Sequence, residues 1–337
     1  MNIYLTLDYE LFLGANTGTP ENCLIRPMEA LCDAVEEYGV HFTLFVDAAY
    51  LLRLTQLMPN SKQLQHDYNL VSANIISLQK RGHDIQLHFH PQWLYSEWND
   101  DSKEWQLDYT HYKLSDMDRA FAFESFSSAK ALLESIIEKK VVAFRAGGYC
   151  LESFGDYIDL FRDNGILIDS SVVLGRYNLA GLHYYDYRQI KPKRQVYHFN
   201  ASVREEIEDG VFSEYPLSFC KWNPFYYHFK MKPLKRTYSS TISYGDGSSI
   251  GHLERKNNQV NKRNKVMLFL SPHTATAGSS GSASVFMNEY YKYAVKHKWT
   301  DLVIIGHPKE ETDCSIKNLK NFIGKVYKEA SFKRISE

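Results

Sequence analysis

The sequence has no cysteine pair at Cys-x-x-Cys spacing; its five cysteines, Cys23, Cys32, Cys150, Cys220 and Cys314, are scattered and odd in number. That speaks against a zinc knot of paired thiolates and against a small disulfide-framed domain, and it suits a reducing compartment. No apolar run approaches the ~18 residues of a membrane-spanning helix. A charged-then-apolar leader is missing too, because residues 1–7 run straight into a core-type strand. The expectation is a cytoplasmic protein without a transmembrane segment. Excess charge of either sign is also lacking: 39 Lys and Arg stand against 40 Asp and Glu, a net charge of −1. So balanced a chain offers no whole-molecule attraction to nucleic acid or to an anionic membrane. No internal repeat is found.

What is there is an ordinary globular composition, 44% hydrophobic and 23% charged over 337 residues, enough for a large core. Length alone would suggest about two domains, but α/β barrels of this size occur as one, so residues 1–337 are read as a single domain. Apolar runs alternate with helical periodicity. Residues 3–7 read as a strand, 26–38 as a helix stopped by Gly39, and 41–46 as a strand; 68–80 read as a helix closed by Gly82, and 84–90 as a strand ended by Pro91. The rhythm recurs with helices at 116–139, 154–164 and 284–298 and strands at 141–144, 166–168, 266–270 and 302–305. Strands alternating with helices imply an α/β fold with a largely parallel sheet, closed or partly closed as a barrel. Polar residues at the carboxyl ends of its strands then converge on one rim.

Two stretches break the rhythm. Residues 184–225 alternate charged and apolar, which predicts antiparallel excursions. Residues 230–265 hold nine Lys and Arg against two Asp and Glu among Ser, Gly and Asn, and read as a long polar insertion, flexible or partly disordered. Its charge could touch an anionic substrate or simply face solvent. Aromatic residues make up 14% of the chain, and those at 91–95 and 222–227 either floor a sugar site or pack beneath loops.

Four strand ends carry candidate chemistry. In Gln86–Leu87–His88–Phe89–His90–Pro91, the period of two puts His88 and His90 on one side of a strand, half of a metal site; the alternative is a pair of structural histidines. In Thr6–Leu7–Asp8–Tyr9–Glu10, two carboxylates follow a buried run at the same spacing, where an unpaired charge is costly. A metal or Arg145 can compensate them; the alternative is a loop cap. In Phe144–Arg145–Ala146–Gly147–Gly148–Tyr149, Arg145 can orient a carboxylate and the glycines let backbone N–H groups approach a ligand, although Gly-Gly after a strand is often only a turn. Lastly, His307 follows Ile305–Gly306, and His273 competes with it as a general acid. Two imidazoles and a carboxylate suit one divalent ion, whether zinc, cobalt, nickel or iron.

Taken in order, these elements resemble the polysaccharide deacetylase family, the NodB-homology or family 4 carbohydrate esterase group, over most of residues 1–307. Gly82–His83–Asp84–Ile85 introduces His88 and His90 much as a Gly-His-Glu-Ile stretch introduces that family's H-x-x-x-H pair, here two residues shorter. Residues 165–171, Gly-Ile-Leu-Ile-Asp-Ser-Ser, are similar to the family's fourth motif, whose aspartate, here Asp169, tunes the catalytic histidine. The family's adjacent Asp-Asp pair is replaced by Asp8 and Glu10 with Tyr9 between.

The resemblance implies a distorted (β/α)7-type barrel and hydrolysis of an N-acetyl or O-acetyl group from a carbohydrate. It implies Glu10, His88 and His90 as metal ligands, Asp8 as general base oriented by Arg145, backbone N–H groups near Tyr149 as oxyanion donors, and His307 as general acid; Asp8 and Glu10 are open to exchange. With no leader in view, the expected substrate is an intermediate of surface polysaccharide synthesis, O-antigen or capsule, as a nucleotide- or lipid-linked sugar. Two other readings remain: hydrolysis of another non-peptide C–N bond on the same fold, and a sugar-binding protein without turnover. Oligomeric state is not encoded in any of these features.

Overall fold

The computed structural model describes residues 1–151, 153–179, 182–249 and 271–337. Its main sheet is built from β1 (Asn2–Tyr9), β2 (Thr43–Asp47), β3 (Asp84–Phe89), β4 (Ala143–Ala146), β5 (Ile168–Asp169), β6 (Tyr197–Phe199), β7 (Phe212–Glu214), and, after a separate pair β8 (Phe219–Trp222) and β9 (His273–Thr276), β10 (Asp301–Gly306) and β11 (Ser331–Lys333). The order is β6-β7-β5-β4-β3-β2-β1-β10, with β11 also beside β1. Every neighbouring pair in that path is parallel except β6 with β7, which is antiparallel.

The sheet curls because its two ends are tied together. Leu217 bridges Val173, and the next residue, Ser218, donates its N–H to the Val303 carbonyl at 3.1 Å and accepts from Val303 N–H at 2.9 Å. Gly278 pairs with Ile305 on the far side of β10. The result is the expected distorted α/β barrel with antiparallel excursions. Tyr4, Phe45, Ala143, Val173, Leu217, Val303, Ile305 and Ile335 form one buried cluster inside it. Alternation along each strand continues that inward stripe toward the carboxyl ends, to Asp8, Asp47, His88, Arg145 and His307.

Helices cover the outside: α1 (Arg26–Val35), α2 (Ala48–Leu57), α3 (Lys62–Lys80), α4 (Arg119–Ile137), α5 (Ile158–Asp163), α6 (Met287–Lys296) and α7 (Asp313–Val326). Their starts follow local chemistry. The Ser61 hydroxyl accepts the Leu64 N–H, Asp118 accepts that of Phe121, and Thr312 and Ser315 form a reciprocal box. Helices α2 and α7 are absent from the periodic pattern read above. The first follows β2 with no turn residues between, and the second opens at Asp313, after a short helical turn at Pro308–Glu310.

The first half of the polar insertion carries local structure. Residues 232–237 form helical turns, Ser243 bridges Thr312, and the Asp246 carboxylate accepts from Thr19 N–H, Thr19 Oγ1 and Asn22 Nδ2, each at 2.8 Å. These bonds hold residues 243–248 against the loop that follows β1, while most side chains of residues 232–243 face solvent. Residues 250–265, and the strand expected at 266–270, lie outside the described residues.

Candidate metal centre

The rim at the carboxyl ends of β1, β3, β4 and β10 gathers the predicted site residues around one cavity of about 210 Å³. Asp8, Glu10, His88, His90, Tyr149 and His307 line it. Glu10 Oε2 lies 2.7 Å from His90 Nε2 and 3.2 Å from His88 Nε2. The other oxygen, Oε1, accepts from the Lys309 ammonium at 2.9 Å. His307 Nε2 stands 3.7 Å from Asp8 Oδ2 and 3.8 Å from Glu10 Oε1.

Charge is arranged to keep both carboxylates ionised. Burial would raise Asp8, but Arg145 first, then His88 and His307, hold it below the usual carboxylate range. Burial likewise opposes ionisation of Glu10, and Lys309 and His90 hold it well below. Arg145, fully buried, donates from Nη1 to Asp8 Oδ1 at 2.6 Å and from Nη2 to Thr6 Oγ1 and Ser170 Oγ, each at 2.9 Å, and its guanidinium lies over the Phe45 ring at 4.1 Å. These contacts leave it no freedom to follow a ligand. It fixes Asp8 and nothing on the cavity side.

The donor set fits a divalent cation. His88 Nδ1 lies 2.7 Å from the Arg145 carbonyl oxygen, which can only accept, so Nδ1 carries the proton and the Nε2 lone pair of the neutral ring faces Glu10. A lone pair facing a buried carboxylate is repulsive unless a cation or a proton lies between. Without a metal the proton takes that place: burial lowers the His88 pKa, but Asp8 and Glu10 outweigh it and push it up to about 9. The three ligand atoms lie within 4.8 Å of one another, an oxygen and two nitrogens, the donors that zinc and its neighbours accept. A second such group, Asp8, Glu10 and His307, overlaps it through Glu10.

The turn after β4 forms one wall. Gly147 packs against the His90 ring, where a Cβ would stand 2.5 Å from Nδ1, a buried nitrogen with no hydrogen-bond partner among the described residues. Tyr149 has φ 65, a left-handed conformation that a bulky side chain adopts only under constraint. Here the Tyr187 hydroxyl supplies it, donating to the Tyr149 carbonyl at 2.6 Å.

Two expectations are corrected. Asp169 does not face His307: it accepts from Ser171 Oγ at 2.6 Å and Ser171 N–H at 3.0 Å and shares a buried pocket with Glu214, whose carboxyl is raised well above its usual range by burial and by Asp169. Among the described residues, the carboxylates facing His307 are Asp8, Glu10 and Glu310, the last at 3.7 Å from Nδ1. His273 is also removed from the rim. It opens β9 and stacks on Tyr227 with ring centroids 3.5 Å apart. Trp93 and Trp222 are buried packing residues, the first donating to Asp47 Oδ2 at 2.8 Å.

Lys309 and Asp47 were not anticipated. Asp47, buried at the end of β2, accepts from His90 N–H at 3.2 Å and so fixes the backbone of a metal-site histidine. A polar residue ending an apolar strand was the available signal. Lys309, two residues past a strand-end histidine, carried none.

No protein-family model matches the chain, and no curated protein sequence matches it. Solved structures resemble it. A Mycobacterium smegmatis protein designated a polysaccharide deacetylase superposes with a TM-score of 0.53 at 14% identity, covering 99% of this chain and 87% of that one. A Pseudomonas aeruginosa PAO1 protein of the same designation gives 0.48 at 12% identity over 99% and 88%. An allantoinase gives 0.47 at 12% identity over 99% and 87%.

Proposed function

We propose that this chain is a metal-dependent deacetylase that removes an N-acetyl or O-acetyl group from a carbohydrate. The observation that carries the reading is the joint presence, in one cavity, of the Glu10–His88–His90 donor set, a carboxylate held by Arg145, and His307. The barrel shared with the mycobacterial protein supports it at the level of fold.

Glu10, His88 and His90 would hold the ion, which when bound supplies Lewis acidity toward the acyl carbonyl and the attacking water. Asp8 keeps Oδ1 on Arg145, so Oδ2 is the atom that takes the proton of the water. The strained turn at Gly148–Tyr149 brings backbone N–H groups to the cavity wall, where an oxyanion would be stabilised. His307, across the cavity from Asp8, returns a proton to the leaving nitrogen or oxygen, and a Glu310 carboxylate oxygen lies 3.7 Å from its Nδ1. The five cysteines, none in a disulfide, suit a reducing compartment, which favours a cytoplasmic enzyme acting on precursors of surface polysaccharide.

Metal analysis of wild type beside His88→Ala/His90→Ala, together with acetate release from acetylated sugars, tests this. One equivalent of metal in wild type, none in the folded double variant, and metal-dependent acetate release are expected. Absence of metal from both proteins would remove the mechanism.

A further inference from the structure

A larger cavity, about 470 Å³, lies on the other side of the segment that follows β1: Leu11 lines it, whereas Phe12 and Leu13 line the metal cavity. That volume falls within the range of small-molecule sites, about 300–1,000 Å³. The partition is rigid, because residues 16–22 are bonded to Asp246 and Ser248.

One wall is aromatic. Trp105 packs on Trp93 and Trp98 with centroids 5.2 and 5.4 Å away, and the Trp98 indole N–H is held by Asp100 at 3.0 Å. Beside it stands Tyr50, 3% exposed, whose hydroxyl has no hydrogen-bond partner among the described residues. A buried phenol without a partner is costly unless a ligand or water completes it. Asp67, 5% exposed, accepts from Gln63 Nε2 at 2.9 Å through Oδ1. Around these groups Glu21, Glu104 and Asp246 add negative charge, against Lys103.

We infer that this cavity is a second binding site, for a sugar ring that carries a free amino group. Ring C–H faces pack on tryptophan, hydroxyls complete Tyr50 and Asp67, and the carboxylates favour an ammonium over a neutral or anionic substituent. The inference follows from the lining and does not depend on the deacetylase reading.

Calorimetry and intrinsic tryptophan fluorescence with the β-1,4-linked glucosamine disaccharide, its N-acetylated counterpart and cellobiose test it. Saturable binding of the free amine is expected, at least tenfold tighter than of the other two. Trp98→Ala and Asp67→Asn, each checked for folding by circular dichroism, should weaken it tenfold or more, while His88→Ala/His90→Ala leaves it unchanged. Equal binding of all three sugars, indifference to Trp98→Ala, or loss in the histidine variant would overturn the assignment. Because binding is read without turnover, failure of acetate release leaves this result standing, and the reverse holds too.

Discussion

Arg145 bonds Asp8 Oδ1 at 2.6 Å and leaves Asp8 Oδ2 on the cavity side, 3.7 Å from His307. One ion pair thereby fixes which carboxylate oxygen is free for chemistry, and it separates Asp8 from Glu10, whose oxygens go to the histidines and to Lys309.

Arg145→Met leaves the Asp8 carboxylate buried without a partner, so a loss of roughly 3–5 kcal/mol is expected. Asp8→Asn in the same chain should restore part of it, since the stranded charge is removed. Urea denaturation of the two single variants and the double variant measures the coupling; strictly additive losses would show that the pair is not what stabilises the rim.

Removing metal with a chelator should abolish acetate release and lower the melting temperature. At free metal ~100 times its dissociation constant, the bound ion contributes about 2.7 kcal/mol of stability. Calorimetry before and after dialysis reads this directly, and an unchanged transition would mean that the three ligands do not bind the ion in the folded state.

Lys309→Met should lower the stability of the metal-free protein and raise its affinity for metal. In the metal-free protein it leaves Glu10 without its buried ammonium partner, and stability falls by roughly 3–5 kcal/mol. A divalent ion takes over that charge balance, so the loss shrinks when metal is added and metal binds more tightly than to wild type. Isothermal titration with zinc checks the sign; weaker binding would show that Lys309 serves mainly to position Glu10.

Glu311 is buried between Ser280 and Ser315, and burial raises its carboxyl from 4.5 to about 8. Between those values the folded chain keeps a proton that the unfolded chain releases, so this group lowers stability progressively as pH rises from about 4.5 to about 8. Glu311→Gln should therefore gain on wild type by a few kcal/mol across that window. Denaturation midpoints at several pH values would show a constant difference if Glu311 ionised normally.

Much of the site is local in origin, which is why the chain order of motifs exposes it. On a strand of period two, the pairs Asp8/Glu10 and His88/His90 must each face one way, and apolar runs before them place both pairs at the ends of buried strands. The barrel itself was legible from alternating strand and helix periodicity for the same reason: each element's burial is written in its own residues. Helix α7 was less so, because its boundaries depend on what it packs against.

Tertiary structure alone decided the division of labour. Arg145 meets Asp8 across 137 positions, Lys309 meets Glu10 across 299, and Asp246 ties down Thr19 across 227. None of these separations has a periodicity. Only the closed barrel sends Asp169 to Glu214 rather than to His307, and removes His273 to a stack on Tyr227. A strand dictates which way a side chain points, whereas the partner it finds depends on the strand brought beside it.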